Sequence, residues 1–221
     1  MPKLQLQHDL TLIFLTVNLV PKKWADFHKS ILLEACGGAE IITVSKEPIW
    51  GNNIIQDGEP SASNIYQQML RAAKLAKTEY VAIAEDDTLY TKEHFEFRPK
   101  VFGYNMSRWG LLSWSKKPSY FYRHRESNSA LIANRKTLIE CLEEYPEGAF
   151  GEVGKEKTIR QYGLKKYKVE RFHSRAPIVN FHHKHAIDKM EQKQKKSEDK
   201  SLIANSIPCW GEAKELIKYF R

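Results

Sequence analysis

The apolar positions of the chain fall into blocks with two rhythms. "LTLIFLTV", from Leu10 to Val17, is almost continuous in apolar and β-branched residues, the pattern of a strand covered on both faces, as in a parallel sheet. "PKKWADFHKSILLEA" then changes to a spacing of three to four, through Trp24, Phe27, Ile31 and Leu32. Pro21 suits the start of that helix and "CGG" suits its end. "AEIITVSKEP" predicts a second strand closed by Pro48. "SASNIYQQMLRAAKLAKTEY" predicts a second helix, with Ser61 or Ser63 as N-cap and Ile65, Met69, Ala72, Ala73 and Ala76 on one face. "YVAIAEDD" reads as a third strand.

This alternation predicts an α/β fold with a doubly wound, mainly parallel sheet. In the second half, "WGLLSWS" reads as a strand, "NSALIANRKTLIECLEEY" as a strand running into a helix, and "EVGKEKTIRQYGLKKY" as a helix ended by Gly163. "APIVNFHHKHA" is a strand reaching a histidine cluster, and "IDKMEQKQKKSEDKS" is highly charged and expected to be mobile. The 221 residues support one core, so a single domain is expected. It divides into halves at about 10–97 and 98–186, followed by a basic segment and tail at 187–221. The longest apolar run, Leu10 to Val20, is too short to cross a bilayer, and the start lacks a secretory pattern. A soluble, cytoplasmic protein without membrane insertion is expected. Cys36, Cys141 and Cys209 are far apart and form no CxxC pair, which fits neither a disulfide framework nor a structural zinc site.

Ligands of such sheets lie beyond the carboxyl ends of the strands. Three features gather at that edge: Thr16 to Asn18, Ser45 to Pro48, and the acids Glu85, Asp86 and Asp87. Neither GxGxxG nor GxxxxGK[ST] occurs, so a nucleotide diphosphate at this edge needs a different source of positive charge. A divalent metal on the acids is the obvious one. Alternation along an extended chain lets Glu85 and Asp87 address one cation while Asp86 faces another partner. Oxygen ligands of this kind suit Mg²⁺ or Mn²⁺. The competing explanation is a helix N-cap cluster ahead of "TLYTKEHF".

Three further groups carry candidate chemistry. His182, His183 and His185 stand at a strand end, where His183 or His185 suits the same cation; a solvated surface cluster is the alternative. Glu152 follows two glycines and precedes a helix, which suits a general base, or equally a carboxylate favoured by a helix start. The third is 98–125, which holds seven Lys/Arg and no acid among seven aromatic residues. Aromatic faces with interleaved cations make a nucleic-acid surface. At least half of those aromatics are expected to be core, leaving "SKKPSYFYRHR" exposed. The net charge is +8, and 98–125 and 155–200 carry the positive excess, which points to a polyanionic partner.

Taken together, "LTVN", "SKEP", "NIYQQMLRAAKLAKTEY" leading into "VAIAEDD", "FGEVGKEKTIRQYG" and "VNFHHKHA" resemble the nucleotide-sugar glycosyltransferases of the GT-A fold, family-2-like, over about 10–186. The tail "SIPCWGEAKEL" is similar to bacteriophage-encoded glycosyltransferases that decorate DNA bases. The chain departs from that family in having Glu85 where the metal motif usually starts with Asp, a single Glu152 at the base position, and no Arg-Asn-x-Gly before the motif. The resemblance implies a metal-dependent, inverting hexosyl transfer from a UDP-sugar, with Mn²⁺ or Mg²⁺ on Glu85, Asp87 and His183 or His185, and Glu152 as base. It places Thr16, Asn18, Glu47, Asn64 and Asp86 around the nucleotide sugar. The acceptor side would be Trp114, Lys116, Lys117, Tyr120, Arg123 and Arg125, and the implied acceptor a hydroxymethylated pyrimidine in phage DNA. A cell-wall glycan, lipopolysaccharide or protein acceptor remains an alternative. So do a metal-dependent nuclease or phosphodiesterase and a non-catalytic nucleic-acid-binding module.

Overall fold

The structure is a computed structural model that describes residues 9–58, 61–112, 115–144, 167–183 and 202–221. Its first half follows the predicted alternation: β1 (Leu10–Leu15), α1 (Lys22–Ala35), β2 (Glu40–Ser45), α2 (Ala62–Leu75) and β4 (Tyr80–Glu85). Between β2 and α2 lies a short strand that the pattern did not show, β3 (Asn52–Ile55). Only Ile54 of its four residues is buried, so it has little apolar signal to read.

β1 shows why an uninterrupted apolar run was needed. It pairs in parallel with β2 on one side and β4 on the other, and all six of its residues are buried. Its side chains alternate between two cores. Leu10, Leu12 and Phe14 meet Leu32 and Ala35 of α1. Ile13 and Leu15 meet Met69, Ala72 and Ala73 of α2, together with Leu138 of α3 (Arg135–Glu143). Helices therefore cover opposite faces of one sheet. Ser61 caps α2 by accepting from the Asn64 N–H at 3.1 Å.

The second half supplies β5 (Thr88–Leu89), β6 (Phe102–Asn105), β7 (Arg108–Leu112), β8 (Tyr120–Tyr122), β9 (Leu131–Asn134), β10 (Val169–Phe172) and β11 (Ile178–His182). The main sheet runs β10-β6-β9-β4-β1-β2-β3, with only β9 antiparallel to its neighbours. The fold is thus mixed α/β, a mainly parallel seven-stranded sheet flanked by helices. A second sheet runs β12-β8-β7-β11-β5, where β12 is Ile203–Ala204. The predicted helix at 152–163 and the charged segment at 187–200 lie outside the described residues.

The C-terminal tail is built in, not loose. After the two-residue strands β13 (Ser206–Ile207) and β14 (Gly211–Glu212), α4 (Ala213–Leu216) and the turn behind it bury Ala213, Leu216, Ile217 and Phe220. These residues form a third core with Trp24 of α1 and with Leu89, Leu111, Tyr120, Val179 and Phe181 of the second sheet. Among the described residues no helix is long and apolar enough to cross a membrane. Cys36 and Cys141 are buried thiols, and Cys209 is exposed.

Candidate functional site

The acids do not begin a helix. Glu85 ends β4, and Asp86 and Asp87 make the tight turn into β5, which carries the chain from the first sheet to the second. The next helical turn starts only at Lys92, with Thr91 at its N-cap. That removes the N-cap explanation and leaves three half-buried carboxylates at a junction of sheets.

Each acid is tied down by its backbone. The Glu85 N–H donates to the Tyr90 hydroxyl at 2.9 Å, and the Asp86 carbonyl accepts from Trp24 Nε1 at 2.6 Å. The Asp86 N–H donates to Leu15 O at 3.2 Å, and the Asp87 carbonyl accepts from the Phe181 N–H at 2.7 Å. Side chains then give the acids unequal roles. The Thr16 hydroxyl donates to Asp86 Oδ2. Asp87 Oδ1 accepts from Thr88 Oγ1 at 3.0 Å and from Asn180 Nδ2 at 2.9 Å. Asp87 Oδ2 faces His183 Nε2 at 3.7 Å.

That last separation decides what the pair can hold. A divalent cation about 2.1 Å from an oxygen and an imidazole nitrogen bridges two ligands set this far apart. Asp87 and His183 are spaced for two positions of one cation, while Glu85 ends β4 on the far side of the turn. The described residues contain no group of three or more His, Cys, Asp or Glu side chains arranged to hold a metal. His185 and Glu152 lie outside the described residues, as does Trp114.

Electrostatics single out the same place. Burial, then repulsion from Asp86, pushes the Glu85 carboxyl up to about 7, against a pull from Arg108. Burial pushes Asp86 up to about 6, opposed by the Thr16 hydroxyl. Asp87 is raised well above the carboxylate range by burial and then by both neighbouring acids. The folded chain therefore holds protons that the unfolded chain has released. In metal-free protein the melting temperature should rise as pH is lowered from about 8 to about 6.5, and Glu85→Gln should flatten that rise. Added Mn²⁺ should stabilise more at the upper pH, since its ligands must be deprotonated. Further down, His28 (about 4) and His94 (about 3), held neutral by burial, reverse the trend because the unfolded chain protonates them first. A thermal-melt series across this range reads all three effects.

The expected nucleoside residues do gather at the carboxyl edge. Asn18 adopts a left-handed backbone (φ 58), which Asn tolerates, and its Oδ1 accepts from the N–H groups of Lys46 and Glu47, each at 2.9 Å. This clamp joins the ends of β1 and β2, and Glu47 itself is exposed. Asn64 stands in the first turn of α2 and accepts from Gln56 Nε2 at 2.7 Å.

The acceptor-side residues divide. Lys116, Lys117 and Arg125 are exposed, and the Arg123 guanidinium lies 5.3 Å from the Phe121 ring centre. Tyr120 is fully buried in the third core, so its ring is packing and not surface. Arg108, one of the seven cations of 98–125, is 1% exposed. Phe102 and Tyr104 are core as well. Arg98 pairs with Asp9 at 2.8 Å. Sequence reasoning passed over Asn180, Trp24, Tyr90 and Arg108. Asn180 lay inside the quoted strand, but nothing in its spacing aims it at Asp87.

No family model matches the chain, and no curated protein matches it. Solved structures align with part of its backbone. One is the CMP:2-keto-3-deoxy-manno-octonic acid synthetase complexed with CTP, at 9% identity and TM-score 0.49 over 85% of this chain and 96% of that one. Another is the bifunctional IspDF from Campylobacter jejuni, at 11% and 0.45 over 75% and 50%. A third is the glycosyltransferase GlyE of Streptococcus pneumoniae TIGR4, at 10% and 0.46 over 75% and 45%. The chain spans half or less of the last two. At such identities and scores the likeness says nothing about activity here.

Proposed function

We propose that the chain is a metal-dependent glycosyltransferase that moves a sugar from a nucleoside-diphosphate sugar, favoured as UDP-sugar, to an acceptor hydroxyl. The observation that carries this reading is the turn Asp86–Asp87 at the carboxyl end of β4, with Asp87 Oδ2 3.7 Å from His183 Nε2 and Asp86 bonded to Thr16 of the neighbouring strand end. Asp87, His183 and Glu85 would hold Mn²⁺ or Mg²⁺, whose charge favours departure of the diphosphate. Thr16, Asn18, Glu47 and Asn64 would border the nucleoside. Glu152 takes the proton of the acceptor hydroxyl as its oxygen bonds to the anomeric carbon. The bond from that carbon to the diphosphate oxygen breaks, and the electron pair leaves with the nucleotide. The favoured acceptor is a hydroxymethylated pyrimidine in DNA, supported by the exposed Lys116, Lys117 and Arg125.

The test is a panel of labelled nucleotide sugars with Mn²⁺ and hydroxymethylpyrimidine DNA. Wild type is expected to label the DNA. Glu152→Gln is expected to keep nucleotide binding and lose transfer by about 10²- to 10⁴-fold. DNA strand cleavage with Mn²⁺ and no nucleotide sugar would replace this reading with a phosphodiesterase. Donor cleavage that ignores DNA would keep the transferase and discard the acceptor.

A further inference from the structure

Asn180 is an amide in an apolar position. It lies in the middle of β11, where Val179 and Phe181 join the third core while Ile178, on the same strand face as Asn180, joins Tyr90 in the core under α1. Only 7% of Asn180 is exposed, and an amide so placed is costly unless its polar atoms are engaged. Its partners come from β5, because the antiparallel register sets Asn180 directly opposite Thr88. One amide nitrogen serves two acceptors there: Asn180 Nδ2 donates to Asp87 Oδ1 at 2.9 Å and to Thr88 Oγ1 at 2.8 Å. The Thr88 hydroxyl donates in turn to the same Asp87 Oδ1 at 3.0 Å. The backbone beneath is held as well, with His28 Nε2 2.7 Å from Thr88 O and the Phe181 N–H donating to Asp87 O at 2.7 Å.

These three side chains close a triangle, and its effect falls on one carboxylate oxygen of two. A carboxylate oxygen offers about two acceptor positions, and on Oδ1 Thr88 and Asn180 occupy them. Among the described residues Oδ2 accepts no hydrogen bond, and Oδ2 is the oxygen that faces His183 Nε2 at 3.7 Å. Divalent cations differ in what they ask of a carboxylate. Ca²⁺ takes about six to eight oxygens and is often gripped by both oxygens of one carboxylate, whereas Mg²⁺ demands near-octahedral geometry at shorter distances. A carboxylate with one oxygen already saturated suits the second kind of cation.

We propose that Asn180 and Thr88 are positioning residues that set the cation preference of the acid turn: by occupying Asp87 Oδ1 they leave one oxygen for a cation, which favours Mn²⁺ or Mg²⁺ over Ca²⁺. This rests on the metal-binding role proposed above for Asp87 and His183, and the test separates the two. Free Mn²⁺ gives an electron paramagnetic resonance signal that is lost on binding. The chain is titrated with Mn²⁺ at about pH 8, where the ligands are more readily deprotonated, and Ca²⁺ is then added as competitor. Wild type is expected to hold Mn²⁺ more tightly than Ca²⁺. Asn180→Ala and Thr88→Val each remove one donor from Oδ1 and should narrow that ratio by about tenfold, while Thr88→Ser, which keeps the hydroxyl, should preserve it. His183 is the same in every variant, so the preference of an imidazole for Mn²⁺ cancels from the comparison. A thermal melt shows which variants are folded, and Thr88→Val carries the test if Asn180→Ala does not fold. An unchanged ratio in the folded variants overturns the inference and leaves the metal site standing. Equal weakening of both cations assigns the triangle to affinity alone and likewise overturns the preference. A wild type that binds no Mn²⁺ removes the metal site, and this inference with it. The expected ratios in a protein that cleaves no nucleotide sugar keep the inference and remove the transferase.

Discussion

Asp87→Asn is expected to lower metal-dependent nucleotide-sugar cleavage by about a hundredfold to a thousandfold while leaving the melting temperature unchanged or higher. The amide keeps an oxygen for the Thr88 hydroxyl and the Asn180 amide, so the turn retains its shape. What disappears is the charge opposite His183. In metal-free protein burial and both neighbouring acids raise Asp87 well above the carboxylate range and favour its neutral form, so a neutral amide there costs the fold little. Activity and stability should therefore move apart. A purely structural Asp87 would move them together. The measurement is nucleotide release with and without Mn²⁺ beside a thermal melt; undiminished release in the variant would remove the acid turn from the reaction.

Trp24→Ala should be the most destabilising single change, at about 3–5 kcal/mol. Trp24 is fully buried, and its ring centre lies 4.2 Å from that of Phe181 and 4.9 Å from that of Phe220. The truncation also strips the Asp86 carbonyl of its 2.6 Å donor. Trp24→Phe separates the two losses. It keeps most of the packing, so the urea midpoint should fall much less, and it still removes the indole N–H that anchors the acid turn. Nucleotide binding is expected to weaken in Trp24→Phe by more than the stability change accounts for. If binding and stability fall in proportion, Trp24 acts as packing alone.

The parts of the fold that were legible are those whose burial is complete over a long apolar run; β6, fully buried but only four residues of Phe, Gly, Tyr and Asn, was not. β1 is enclosed on both faces, and an enclosed strand has to be apolar along its whole length. α2 has to bury Met69, Ala72 and Ala73 at helical spacing, and it does. β3, β8 and β10 are short edge or near-edge strands with few buried residues, so their pairing comes from neighbours and leaves little trace in composition. The site shows the same division. Three adjacent acids after an apolar strand are visible in one line of sequence because like charges side by side at a strand end are costly. Asn180 and Arg108 are not visible, since an Asn in a strand and an Arg in a basic stretch are ordinary until the second sheet folds across the first. Tyr120 was read as surface because charge and aromaticity along a segment say nothing about which side of a strand faces inward.

The C-terminal tail has a consequence for how the protein is made. Lys23 Nζ reaches Lys218 O across a sequence separation of 195 residues, Tyr219 stacks on Phe27, and Phe220 lies against Trp24. On a ribosome adding about 5–20 residues per second, α1 therefore waits roughly ten to forty seconds for the segment that covers it. Throughout that interval the Trp24 and Phe27 face of α1 lacks the rings that cover it in the folded chain. Docking of the tail, which braces Asp86 through Trp24 and touches His183 through Phe220, can only be a late folding event. The nascent chain thus cannot carry a finished acid turn until Phe220 has been synthesised.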